Sequence, residues 1–227
     1  MEGAMFQAVC AIYEPCLVQV GGPTSDGGAT LHGTGCLLSP VHFITALHVV
    51  NDATARYGRI AVAKYDGLYK GELLASCPKC DVAVLQATDK LVASSLKKPE
   101  TWPAFKENHA FARGMTVGYM SFLHKADPAG KPSTFTFFSA AHMSFLGRDK
   151  DNNPRWVLSG GFSESGFSGS PVFLPDGTLV GVSVSTLLMN ADVEDCPFVP
   201  HCFPQVSAIP PIGKAVVDEI NRRRRAG

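Results

Sequence analysis

The sequence predicts an all-β chain that ends in a single α-helix. Short apolar runs recur along the 227 residues, broken by Gly, Pro, Asn and Asp, which is the punctuation of strands and turns. Hydrophobic residues make up 45% and charged residues 18%, enough for a core and unlike a disordered chain. The period changes in the last segment, where Ile212, Val216, Val217 and Ile220 fall at helical spacing. Many short strands with Gly and Pro turns build a sandwich or a barrel, and barrel closure removes exposed strand edges.

Strands are expected first over residues 6–13, an apolar-rich run that stops at Glu14-Pro15, and over 17–20. The Gly-rich stretch 21–28 forms a loop, followed by strands at 35–38 and 43–46 on either side of Ser39-Pro40. A short turn then carries His48, and further strands follow at 60–65, 71–75 and 81–87. Residues 94–113, with Lys97-Lys98-Pro99-Glu100 and Trp102-Pro103, lack strand periodicity and make the connector. Strands resume at 115–122, 133–144, 155–159, 171–174, 179–186 and 204–207, with a turn at Pro175-Asp176-Gly177-Thr178. The closing helix spans about 211–224 and is expected to pack on the second half of the chain.

Charge and targeting signals narrow the function classes. Twenty basic and twenty acidic side chains balance, so no global field favours nucleic acid or a membrane surface. The run Arg222-Arg223-Arg224-Arg225 is expected as a solvated helix end that suits the C-terminal dipole; the competing reading is an acidic partner or nucleic acid. Residues 1–20 lack a basic segment followed by an unbroken apolar one, so no signal peptide is expected, and no run is long enough for a spanning helix. Seven cysteines, an odd number without a regular framework, point to a reducing, cytoplasmic setting.

Three stretches carry chemistry. Gly166-Phe167-Ser168-Gly169-Ser170-Pro171 puts one hydroxyl in a loop whose glycines can turn consecutive amides toward one point, a concavity for a developing oxyanion. A serine hydroxyl is a weak nucleophile without a base, and Thr45-Ala46-Leu47-His48-Val49-Val50 offers one. Asp81-Val82-Ala83-Val84-Leu85 sets an acid at the head of an apolar strand. Each alone has an ordinary structural explanation: a turn serine, a half-buried histidine, a strand-end cap.

Together, in the order His48, Asp81, Ser168, these stretches resemble the trypsin-like serine peptidases, with a flavour closest to Deg/HtrA-type and other bacterial or viral members, over roughly residues 30–190. The resemblance implies a chymotrypsin-like pair of antiparallel β-barrels with the site between them. Residues 1–103 would form the first barrel with His48 and Asp81, and residues 104–227 the second with Ser168 and the C-terminal helix. It also implies a Ser-His-Asp triad with an acyl-enzyme intermediate, an oxyanion hole from the amides of Gly166 and Ser168, and no metal or organic cofactor. Phe162, six residues before Ser168, stands where an acid would select Lys or Arg; with Ser183 and Ser185 it is expected to bind substrate and to favour a small or apolar residue before the cut. Glu164 is the alternative reader if the loop is shifted in register. Leu47, Phe167 and Ser170 depart from the family pattern, and Phe167 in place of an acid argues against activation by a freed N-terminus.

The cysteines support a competing idea. Cys77-Pro78-Lys79-Cys80 has zinc-knuckle spacing, and Cys196 and Cys202 could complete the set; unligated thiols are the simpler expectation. Two function classes follow: a serine endopeptidase acting on proteins or peptides, or a catalytically silent or partner-gated module of the same fold. No PDZ-like segment follows the peptidase region, so control would come from a regulatory protein partner.

Overall fold

The computed structural model describes residues 2–24, 29–64, 67–93, 99–126, 132–148, 151–161, 163–164, 166–189 and 201–226. Its strands pair into two closed antiparallel barrels. The first contains β1 (Leu17–Pro23), β2 (Ala29–Leu37), β3 (His42–Ala46), β4 (Ile60–Lys64), β5 (Gly67–Cys77) and β6 (Val82–Ala93). The second contains β7 (Thr116–Ala126), β8 (Pro132–Arg148), β9 (Pro154–Ser159), β10 (Pro171–Phe173), β11 (Leu179–Met189) and β12 (His201–Ala208). Going round each barrel, the order is β1-β2-β3-β6-β5-β4 and β7-β8-β9-β12-β11-β10, one connectivity used twice. No sequence repeat announces this, because a barrel needs only matching alternation of inward apolar residues, not matching side chains. Val18, Val20, Ile44, Val62 and Val84 fill the first barrel, and Val117, Met143, Leu158, Val172 and Val206 the second.

Two helices differ from expectation. Residues 6–13 are not a strand but part of α1 (Glu2–Tyr13). Phe6, Val9 and Tyr13 recur at helical intervals, and all three are buried. They dock on the second barrel: Tyr13 stacks on Phe173 at 4.2 Å between ring centroids and donates its hydroxyl to the Gly177 carbonyl at 3.1 Å. The turn after β3 is a full helix, α2 (Leu47–Tyr57), closed by Gly58 in the left-handed region at φ 70° with its N–H bonded to the Thr54 carbonyl. Helix α3 (Lys214–Ala226) forms as expected, but its anchoring bonds run to the first barrel and the connector. Arg224 donates to the carbonyls of Leu38 and Pro103 and lies 5.2 Å over the Phe105 ring. The arginine run is therefore no free tail: Arg222 and Arg223 pair with Glu219, and Arg224 is half-buried. Among the described residues, no helix is long and apolar enough to cross a membrane.

Candidate active site

His48 and Asp81 come from opposite ends of one hydrogen-bonded junction in the first barrel. His48 lies in the first turn of α2, whose N-cap, Ala46, has no side chain able to cap it. Asp81 does this work from the start of the neighbouring strand β6, which pairs with β3. Its Oδ1 accepts the His48 backbone N–H at 2.8 Å, and its carbonyl accepts the Leu47 N–H at 3.0 Å. Its Oδ2 lies 2.6 Å from His48 Nδ1. A carboxylate beside Nδ1 only accepts, so Nδ1 carries a proton, and in the neutral imidazole Nε2 is the nitrogen that keeps its lone pair. The helix N-terminus adds a favourable field for the carboxylate.

The turn that presents Asp81 is tight. Cys80 and Asp81 donate their N–H groups to the carbonyls of Cys77 and Pro78 at 3.1 and 3.2 Å, and Asp81 sits in the left-handed region at φ 56°, which Asp tolerates better than most residues. The Asp81 side chain is 20% exposed and that of His48 40%, so the acid is shielded while the imidazole stays open to the cleft.

Ser168 reaches the same cleft from the loop before β10. The space, about 800 Å³, is lined by His48, Asp81, Gly166, Ser168, Ser185 and Gln205, among others. Gly166 has φ 95°, and the Phe167 N–H bonds to the Glu164 carbonyl at 3.1 Å. Gly169 has φ 86°, and a Cβ there would lie 2.0 Å from the Thr34 carbonyl oxygen, so both conformation and space demand glycine. Phe167 fastens the loop from below: it is 1% exposed, with its ring 5.4 Å from that of Phe137 and 6.4 Å from that of Tyr119. Apolar burial thus anchors the residue before the serine.

One buried residue not singled out from sequence ties this loop to the other barrel. Thr34 donates its backbone N–H to the Ser168 carbonyl at 2.8 Å and its hydroxyl to the Gly166 carbonyl at 2.8 Å. The Phe122 N–H donates to the same hydroxyl at 3.3 Å. The signal available was Thr34 between two glycines, of which Gly33 has the missing side chain that lets Ser168 and Val49 approach.

The residues expected to bind substrate divide. Ser185 lines the cleft and donates its hydroxyl to Gln205 Oε1 at 2.5 Å. Ser183 is 2% exposed and acts through its backbone, accepting from Gly169 N–H at 2.6 Å and donating to the Ser170 carbonyl at 2.9 Å. Phe162 lies outside the described residues, and Glu164 is exposed at the edge of the cleft. Cys77 and Cys80 are free thiols; burial, then a hydrogen bond to Cys77, pushes the Cys80 thiol up to about 12. Cys196 lies outside the described residues, and among those described no group of three or more His, Cys, Asp or Glu is placed to hold a metal.

A family profile described as the trypsin-like peptidase domain matches residues 33–182, more than half of the chain. The chain belongs to that family. This trypsin-like peptidase is accordingly a hydrolase of the serine-peptidase kind, acting on protein or peptide substrates. No curated protein sequence matches it. Among solved structures it is similar to the active form of the Rv3671c protease from M. tuberculosis, with 18% identity over 98% of this chain and 86% of that one and a TM-score of 0.59. An inactive form of the same protease matches at 18% identity over 96% and 95%, with a TM-score of 0.56. At that identity the likeness speaks for the chymotrypsin-like fold.

Proposed function

We propose that this trypsin-like peptidase cuts peptide bonds with Ser168 as nucleophile, His48 as general base and then general acid, and Asp81 as the group that orients and stabilises the imidazolium. The observation that carries the reading is the His48–Asp81 pair: it leaves Nε2 unprotonated beside a cleft that Ser168 also lines. Attack by Oγ on the scissile carbonyl sends the hydroxyl proton to Nε2. The negative charge passes to the carbonyl oxygen, collapse expels the amine carrying that proton, and water hydrolyses the acyl-enzyme by the reverse path. The amides of Gly166 and Ser168 serve as oxyanion donors, each worth about 3 kcal/mol of transition-state stabilisation. The positive φ of Gly166 supports this assignment. A small or apolar residue before the cut is the preferred substrate, with the Ser185 hydroxyl lining the cleft that receives it.

The division at 103/104 is proposed as the boundary between the halves; α1 and α3 cross it in opposite directions. Free Cys10, Cys16, Cys36, Cys77 and Cys80 support a reducing, cytoplasmic setting. The arginines engaged within α3 speak against a nucleic-acid role for the C-terminal run.

Labelling with a serine-directed fluorophosphonate tests the assignment. Folded protein should take up one label on Ser168, and Ser168→Ala none. Uptake on another residue, or equal uptake by the variant, would sink it.

A further inference from the structure

We propose that Arg155, on β9 of the second barrel, is a positioning residue that fixes the Asp81 turn of the first barrel and through it the orientation of His48. The inference rests on the reading of Asp81 as the orienting acid.

Arg155 is 3% exposed, an unusual place for a permanent charge. Taking a guanidinium out of water is costly unless its donors are met, so its partners decide what it is for. Nη1 donates to the Lys79 carbonyl at 2.8 Å and to Ser207 Oγ at 3.0 Å. Ser207 is on β12, so the guanidinium is fastened within the second barrel and reaches across to the first.

Lys79 stands two residues before Asp81, in the turn closed by the Cys80 and Asp81 N–H bonds. That turn is poorly held by packing. Pro78 and Lys79 are exposed, and Asp81 holds a φ of 56°, a conformation that costs roughly 1–2 kcal/mol for a residue with a Cβ. A short exposed turn bearing a strained residue shifts easily unless something outside it fixes its height, and the Arg155 bond to the Lys79 carbonyl does so. A shift of the turn moves Oδ1 and Oδ2 off both His48 contacts at once, because the same carboxylate caps α2 and orients the ring.

The two barrels are thus pinned beside each half of the site. Thr34 reaches from the first barrel to the Ser168 loop, and Arg155 reaches from the second barrel to the Asp81 turn. A single neutral donor could satisfy one carbonyl. Nη1 carries two N–H bonds and so meets an acceptor in each barrel at once, and the planar guanidinium holds those donors in a fixed geometry that the freely rotating Lys ammonium does not.

The test compares wild type with Arg155→Met, Arg155→Lys and Ser207→Ala by two readouts. The first is the low-field NMR resonance of the His48 Nδ1 proton, which reports its bond to Asp81 whether or not the protein cleaves anything. The second is the division of any activity loss between kcat and KM. Folded Arg155→Met should lose or broaden the resonance and drop kcat by up to about a hundredfold with KM little changed, the scale of a misplaced acting group. Arg155→Lys should fall between it and wild type. A folded Arg155→Met that keeps both resonance and kcat overturns the inference. Should that variant not fold, Ser207→Ala decides: a shifted resonance supports the clamp, and an unchanged one refutes it. Failure of the triad reading looks different, since Ser168→Ala would then retain activity while the resonance still reports on Arg155.

Discussion

Asp81 holds two jobs in one side chain, capping α2 and aligning His48, and its replacement should separate chemistry from folding. Asp81→Asn keeps the size and an acceptor for the His48 N–H but can present an amide N–H to Nδ1, which favours the wrong tautomer. We expect kcat to fall by about 10⁴-fold with the thermal transition little changed, checked by steady-state kinetics beside calorimetry. Thr34 acts on the serine half. Thr34→Val keeps the shape and removes the hydroxyl that meets the Gly166 carbonyl and the Phe122 N–H, leaving both without it. That should cost about 1–3 kcal/mol of stability in denaturant titration and lower kcat more than it raises KM. His48, Asp81 and Ser168 were legible as candidates because each lies next to an apolar strand in a fixed order, His48 just after β3, Asp81 just before β6 and Ser168 just before β10. Thr34 and Arg155 were not, because each meets the site through a backbone carbonyl, of Gly166 and of Lys79, which leaves no mark on the partner's sequence.

At the scale of elements, the loop before β10 depends on an apolar anchor. Phe167→Ala should cost about 3–5 kcal/mol, read from the urea midpoint, and the surviving folded fraction should label more slowly with fluorophosphonate. Strand positions were well marked, since alternation and Gly or Pro punctuation reflect the pleat itself; observed strands mostly run longer than expected, as in β5 and β6, which continue to Cys77 and Ala93. Helix α1 was misjudged because its residues are apolar enough for a strand, and the spacing of Phe6, Val9 and Tyr13 only separates the two if weighed over the full segment. The partner of α3 could not be read at all. Helical spacing shows that Ile220 is buried but not against what, and the Arg224 bonds to Leu38 and Pro103 join residues far apart in sequence.

Across the whole molecule, the terminal helices each bind the half of the chain they do not precede or follow, so the barrels are braced outside the cleft as well as within it. His42 lies in the brace near α3. It is fully buried, with Nδ1 at 2.8 Å from Ser39 Oγ, and burial lowers its pKa; Glu219 opposes that shift, while Arg223 and Arg222 add to it. With the folded value below the unfolded 6.5, the unfolded chain binds the proton more readily, so stability falls as pH drops through about 6.5 and below. His42→Gln should flatten the slope of melting temperature against pH in that window, and an unchanged slope would remove His42 as its source. The central claim, peptide cleavage by Ser168 across the joined barrels, is tested most directly by mass spectrometry of the products from a peptide library, wild type beside Ser168→Ala. We predict cuts after small or apolar residues that vanish in the variant. Cuts that persist in Ser168→Ala, or folded wild type that makes none, would contradict it.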